Sequence, residues 1–83
     1  MYQVLIGKSA QKQLEKIPDP DYLRIKKSII ELAKNPRPSG YKKLKGREGY
    51  GIRQGNYRII YEIHDHVLTV FIIAAGHRKD IYE

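Results

Sequence analysis

The sequence predicts an α+β domain: an N-terminal strand, a helical hairpin, then a three- to four-stranded, mainly antiparallel sheet. Three observations predict it. Apolar residues between 9 and 34 recur at helical spacing. After Gly40 the grammar changes to alternation and β-branched runs. Asn35-Pro36-Arg37-Pro38-Ser39-Gly40 separates the two regimes as a loop. Helices grouped before strands, rather than alternating with them, favour a sheet with the helices on one face. The 83 residues make room for one domain, residues 1–83.

Tyr2 to Ile6 reads as a short strand. Ser9 is placed to cap a first helix, with Ala10, Leu14 and Ile17 on one face and Pro18 ending it. Asp19-Pro20 signals the next helix, an acid at the cap followed by proline at the first helical position. Tyr22, Ile25, Ile29, Leu32 and Ala33 form its apolar stripe. An extra short strand is placed near Tyr41 to Leu44. Tyr50 to Arg53 alternates, Tyr57 to Ile63 is β-branched and aromatic, and Val67 to Ala75 is a nearly continuous apolar run suited to a central strand.

A chain of this size buries only about 60–65% of its extended surface. It has no cysteine to staple it, so the core must come from Ile, Leu, Val and the seven tyrosines. The lack of cysteine fits a reducing compartment. The N-terminal apolar run is too short for a signal peptide, and the run from Val67 is too short to span a bilayer. The expectation is a cytoplasmic protein without a membrane partner.

Charge is confined. Lys34 to Arg58 holds eight cations, Lys34, Arg37, Lys42, Lys43, Lys45, Arg47, Arg53 and Arg58, against one anion, Glu48. That accounts for the whole net charge of +7. Such a local footprint suits a polyanion, most often nucleic acid.

The turns give a register. Gly55-Asn56 suits a two-residue hairpin loop. That loop sets Gln54 opposite Tyr57, Arg53 opposite Arg58, Ile52 opposite Ile59 and Tyr50 opposite Tyr61. Like charges directly opposed cost stability, and a sequence that breaks its own folding rules often does so at a functional site. If Asp65-His66 is the next turn, Arg58 lies opposite Ile73. Gly76-His77-Arg78 then leaves the sheet at the same end as Arg53 and Arg58.

Leu44-Lys45-Gly46, Tyr57-Arg58-Ile59-Ile60-Tyr61 and Gly76-His77-Arg78-Lys79-Asp80-Ile81-Tyr82, in that order, resemble the RelE/ParE superfamily of bacterial and archaeal toxins. The resemblance runs nearly end to end. It implies a RelE-like fold akin to the microbial ribonucleases, and the toxin of a type II toxin–antitoxin system. On the RelE side it implies metal-independent cleavage of mRNA in the ribosomal A site, which inhibits translation. On the ParE side it implies a non-enzymatic inhibitor of DNA gyrase. The implied partners are a cognate antitoxin (RelB-like, or another small acidic protein), the ribosome and mRNA. The toxin–antitoxin complex is expected to bind operator DNA through the antitoxin. No cofactor is implied.

By that resemblance Arg58 matches a phosphate-binding arginine, Arg78 a transition-state arginine, and Tyr82 a tyrosine that stacks on or orients the substrate nucleotide. Arg53 matches one of two strand lysines. The other lysine position falls on Gly51, a departure that leaves the proton-transfer assignment open. His77 stands where several ribonuclease members carry a histidine.

The residue types suit the chemistry. Cleavage by the substrate's own 2′-hydroxyl needs a base, an acid and cations on the phosphorane. Guanidinium is always charged and grips phosphate bidentately, which fits Arg53, Arg58 and Arg78. His77 carries an imidazole, the side chain most often used as general acid or base, and Lys42, Lys43, Lys45 and Arg47 can track an RNA backbone. Each has a plainer reading. Glu62 is a structural partner for Arg58, His77 a polar residue after a strand, Tyr82 a packing residue, and the lysines a solvated loop. Glu48 balances charge or serves as a base. His64 and His66 at strand spacing lack a third metal ligand, so a turn explains them better. A non-catalytic nucleic-acid-binding module is the remaining alternative, although the chain has one Phe, no Trp and no recognition-helix signature.

Overall fold

The computed structural model describes residues 1–81. Five strands form one sheet, β1 (Gln3–Ile6), β2 (Lys42–Lys43), β3 (Tyr50–Gln54), β4 (Tyr57–His64) and β5 (Thr69–His77), in the spatial order β1-β5-β4-β3-β2. β1 runs parallel to β5, and the other pairs are antiparallel. Helices α1 (Lys8–Glu15) and α2 (Asp21–Lys34) bury Ala10, Leu14, Ile25, Ile29 and Leu32 against one face, over Ile59, Tyr61, Val70, Ile72 and Ala75. Each buried Val, Leu or Ile among them contributes roughly 1.5–3 kcal/mol by leaving water. The expected α+β architecture is the one observed, with β5 in the interior as its continuous apolar run requires.

Both helix starts differ from expectation. Gly7, not Ser9, occupies the cap of α1, because the chain turns straight out of β1 with the Gly7 amide bonded to the Ile72 carbonyl at 2.9 Å. A Cβ on Gly7 would stand 3.1 Å from the Phe71 ring and 3.2 Å from that carbonyl. α2 begins at Asp21 with Pro20 at the cap, and the carbonyls of Pro18 and Pro20 accept the Tyr22 and Arg24 amides. Asp19 therefore does not cap the helix, and Asp21 supplies the acid of the first turn.

The β3–β4 hairpin has the expected register at every position, including Arg53 opposite Arg58. Gly55, first in the loop, takes a positive φ of +61°. The next turn is longer than expected. Asp65–Val67 forms a turn of 3-10 helix, and Leu68 follows in the left-handed region at φ 46°. That conformation aims the Leu68 carbonyl at the Gln3 amide, 2.7 Å away, where the parallel β1–β5 pairing starts. A bulge between Ile60 and Tyr61 shifts the ladder once more. Together these set Arg58 opposite Gly76 rather than Ile73. The correction brings the C-terminal segment closer to the arginines than the shorter turn allowed.

Candidate active site

Directly opposed antiparallel residues share a face. Arg53, Arg58 and Gly76 therefore lie on the sheet face away from the helices, at one end of β3, β4 and β5. The floor there is a second, smaller core of Leu44, Ile60 and Ile81. Two glycines make that floor possible. A Cβ on Gly51 would meet Ile60 Cδ1 at 3.3 Å and Leu44 Cδ2 at 3.6 Å. A Cβ on Gly76 would meet Ile81 Cγ1 at 3.1 Å. Gly51 is thus more than a missing lysine, because Leu44 and Ile60 approach into the space its side chain would use.

The segment after β5 folds back tightly. The His77 carbonyl accepts the Asp80 and Ile81 amides at 2.8 and 3.2 Å. The Arg78 amide donates to the Asn56 carbonyl at 2.8 Å, tying the exposed Arg78 to the tip of the β3–β4 hairpin. Ile81 then seats on Gly76. So the structure brings Arg53, Arg58 and the Arg78 backbone to one end. Tyr82 lies outside the described residues.

His77 is placed differently. It pairs with Tyr57, and the two rings meet edge to face with centroids 5.7 Å apart on the helix side. Its Nδ1 accepts the Lys79 amide at 3.2 Å, which puts the proton of the neutral ring on Nε2. The ring therefore leaves the sheet on the face opposite Arg53 and Arg58, although the backbones converge.

The basic residues divide as well. Lys42 stands opposite Gly51 and shares the arginine face, while Lys43 stands opposite Tyr50 on the helix face. Lys45 and Arg47 are exposed on a loop closed by the Leu44 amide on the Gly49 carbonyl at 3.0 Å. Gly49 holds φ at +120°, and a Cβ there would lie 3.0 Å from the Tyr61 carbonyl oxygen. Buried Leu44 beneath and Gly49 behind push the loop's cations outward. Arg37, counted in the basic stretch, sits at the other end of the molecule. It forms a bidentate pair with Asp65 at 2.8 and 3.3 Å, and Tyr2 donates its hydroxyl to the same carboxylate. The guanidinium and the phenol hold Asp65 down at about 2.

Of the plainer readings, Glu62 meets His64, Oε1 to Nε2, at 2.9 Å. Glu48 is exposed. The His64 and His66 rings lie edge to face, centroids 6.4 Å apart. Among the described residues no group of three or more His, Cys, Asp or Glu is placed to hold a metal ion.

An open cleft of about 350 Å³ runs along the edge of β3 where β2 ends. Lys42, Gly51, Arg53 and Arg58 line one side, and Ser28, Glu31 and Asn35 line the other. Sequence reasoning missed the α2 wall. Its signal was a polar stripe at positions 28, 31 and 35, beside the apolar stripe at 25, 29 and 32. Ser28 also donates to Gln54 Oε1 at 3.2 Å, locking the helix to the strand that carries Arg53.

Known proteins share this fold and sequence. The family model described as ParE toxin of type II toxin–antitoxin system, parDE, matches residues 4–82. The toxin RelG of Mycobacterium tuberculosis is 32% identical over 87 residues, covering 98% of this chain and 95% of that protein. A chain of the toxin–antitoxin complex RelBE2 of the same organism is 30% identical with a TM-score of 0.80, covering 93% of this chain and 98% of that one. The isolated E. coli RelE toxin is 28% identical with a TM-score of 0.80, over 93% of this chain and 84% of that one. The archaeal RelE–RelB complex of Pyrococcus horikoshii OT3 gives 26% and 0.79, over 96% and 98%. The chain belongs to the ParE toxin family of type II toxin–antitoxin systems, within the RelE/ParE superfamily. Among the described residues, no helix is long and apolar enough to cross a membrane.

Proposed function

We propose that this toxin is a metal-independent endoribonuclease that cuts mRNA in the ribosomal A site and so stops translation. One observation carries the reading. Arg53 is held directly opposite Arg58 on an open face, and the Arg78 backbone is pinned to the same end. Arginines at opposed strand positions share a face, and guanidinium grips phosphate oxygens bidentately. The reaction needs such charge, because attack of the 2′-oxygen on phosphorus gathers negative charge on the phosphorane. The P–O5′ bond then breaks, leaving a 2′,3′-cyclic phosphate and a 5′-hydroxyl. Arg53, Arg58 and Arg78 hold the phosphate, Tyr82 orients the nucleotide, and Lys42, Lys43, Lys45 and Arg47 guide the strand.

His77 is the group for proton transfer. With Nδ1 occupied by the Lys79 amide, Nε2 is the nitrogen left to exchange a proton, and reaching a phosphate on the arginine face requires the ring to swing round the end of β5. Acting as an acid requires the doubly protonated ring, which cannot accept that amide. Proton donation by His77 is thus coupled to loss of its Lys79 contact.

A second reading, a ParE-like inhibitor of gyrase that cleaves nothing, draws on the family model's own description. One experiment separates the two. Induced toxin is expected to leave primer-extension stops inside coding regions while purified gyrase still supercoils in its presence. Intact messages with gyrase inhibited would establish the second reading.

The partner proposed is a cognate antitoxin, as in the RelE–RelB complexes of the relatives. A small acidic chain would be steered by the basic face, with association slowing as salt rises. Within the cytoplasm, the pair would bind operator DNA through the antitoxin. Co-expression of the neighbouring reading frame should restore growth, and a neighbour that neither binds nor rescues would remove the partner assignment.

A further inference from the structure

We infer that Lys42 is a fourth cation of the cleavage site, beside Arg53, Arg58 and Arg78, and acts on the reacting phosphate itself, not merely on the flanking strand. This rests on the endoribonuclease reading and goes further by naming the group that supplies charge where β3 has Gly51. The β2–β3 register sets Lys42 directly opposite Gly51. Opposed residues share a face, and Gly51 shares its face with Arg53, two residues along the same strand. Lys42, Arg53 and Arg58 therefore project from one face, and all three line the same cleft.

Gly51 is what connects them. The strands stand about 5 Å apart, and Arg53 lies about 6.5–7 Å further along β3. Any side chain at position 51 would rise between the lysine and the arginine pair. With hydrogen there, Leu44 and Ile60 close in to form an apolar floor, and no β3 side chain stands between Lys42 and Arg53. An apolar floor beneath a lysine stem is favourable, because the methylenes are covered while the ammonium reaches the cleft. Lys42 belongs to a two-residue strand, so its backbone is held by the ladder rather than carried on a loop.

The role is electrostatic. As the 2′-oxygen bonds to phosphorus and the 5′-oxygen leaves, the non-bridging oxygens carry added charge, and an ammonium within reach stabilises it. No proton moves to or from Lys42. The 2′-hydroxyl proton leaves to a base, and the 5′-oxygen gains one from an acid.

The adjacent lysine provides the internal comparison. Lys43 carries the same charge, is also exposed and projects from the opposite face. Cleavage of a short mRNA on programmed ribosomes is measured in single turnover against toxin concentration, with thermal melts confirming that each variant is folded. Lys42→Ala should lower the plateau rate about 10- to 100-fold, as expected for one transition-state donor. Lys43→Ala should leave the plateau within about 3-fold and raise the half-saturating concentration, as for a strand contact. Lys42→Arg should restore most of the plateau, and Lys42→Met should not. Equal effects of Lys42→Ala and Lys43→Ala, both confined to half-saturation, would overturn the assignment while leaving the endoribonuclease reading in place. A wild-type toxin that cuts no mRNA under these conditions would overturn both.

Discussion

β4 carries an arginine problem at each end, and the two ends solve it differently. Asp65, just past its C-terminal end, receives Arg37 in a bidentate pair and the Tyr2 hydroxyl besides. At its N-terminal end, about 23 Å away at strand rise, Arg58 is set directly against Arg53. The first arrangement closes the fold, joining the segment before β1, the loop after α2 and the β4–β5 turn. The second sets two cations side by side on the face that carries the proposed phosphate site. Two arginines of one basic stretch thus serve opposite purposes, and the strand register tells them apart where the charge count does not.

The largest expected effect breaks that comparison by function. Arg58→Ala should lower the single-turnover cleavage rate about 10²–10³-fold, and Arg78→Ala about 10²-fold or more, with the fold retained. Arg37→Ala should leave the rate nearly unchanged and lower the melting temperature. If Arg37→Ala and Arg58→Ala lose activity in the same proportion, the basic stretch works by overall charge and the two ends are not functionally distinct.

His77→Ala tests whether the helix-side histidine belongs to the reacting end. A proton-transfer role predicts a loss of about 10²-fold or more, and a flattened pH–rate profile near neutrality. A histidine that only ties the 77–81 turn through Nδ1 predicts a small loss with an unchanged profile. Measuring the profile, not just the rate, separates the two.

The hairpin was fully legible in the sequence because Gly55-Asn56 permits one tight loop, and each expected cross-strand pair follows from it. The β4–β5 register was not. Asp65-His66 looks like a turn by residue type, yet Asp65 is drawn into a longer one by Tyr2 and Arg37, which are distant in sequence. The bulge at Ile60/Tyr61 has no local signature. In the chain Gly51 reads as a departure and Gly76 only as part of the C-terminal motif. Only the packing of Leu44, Ile60 and Ile81 reveals them as the floor of the cationic site. The face of His77 depends on the shifted register and so was out of reach. The α2 wall of the cleft was visible as a polar stripe, but nothing local said which strand it would meet.

Tyr61 links the two ends through the core. It is fully buried, and its hydroxyl donates to the Pro36 carbonyl at 2.7 Å, fixing the loop that presents Arg37 on one side and Asn35 to the cleft on the other. Burial pushes its phenol well above the usual range. Tyr61→Phe leaves a buried carbonyl unpaired, a cost of roughly 1–3 kcal/mol. Chemical denaturation should report that loss. A variant as stable as wild type would mean that water reaches Pro36 and that the loop is not held by this bond.

The smallest effect lies in acid. Asp65 titrates at about 2 in the folded chain, lowered from 3.8 chiefly by the Arg37 hydrogen bonds and then by Tyr2. Its ionised form is therefore favoured by folding. The stabilisation is fully present above pH 4 and is lost as pH falls toward 2. Because the pair is exposed to solvent, the effect should be modest and should shrink further as salt rises. The expected observation is that wild type loses more stability between pH 4 and pH 2 than Asp65→Asn does. Above pH 4 the variant should be the less stable of the two. Arg58→Ala should keep the wild-type slope in the same window, since Asp65 acts at the other end of the strand. An Asp65→Asn profile parallel to wild type through that range would show that the Arg37 end is held by packing and not by its ion pair, and the contrast between the two ends of β4 would then rest on geometry alone.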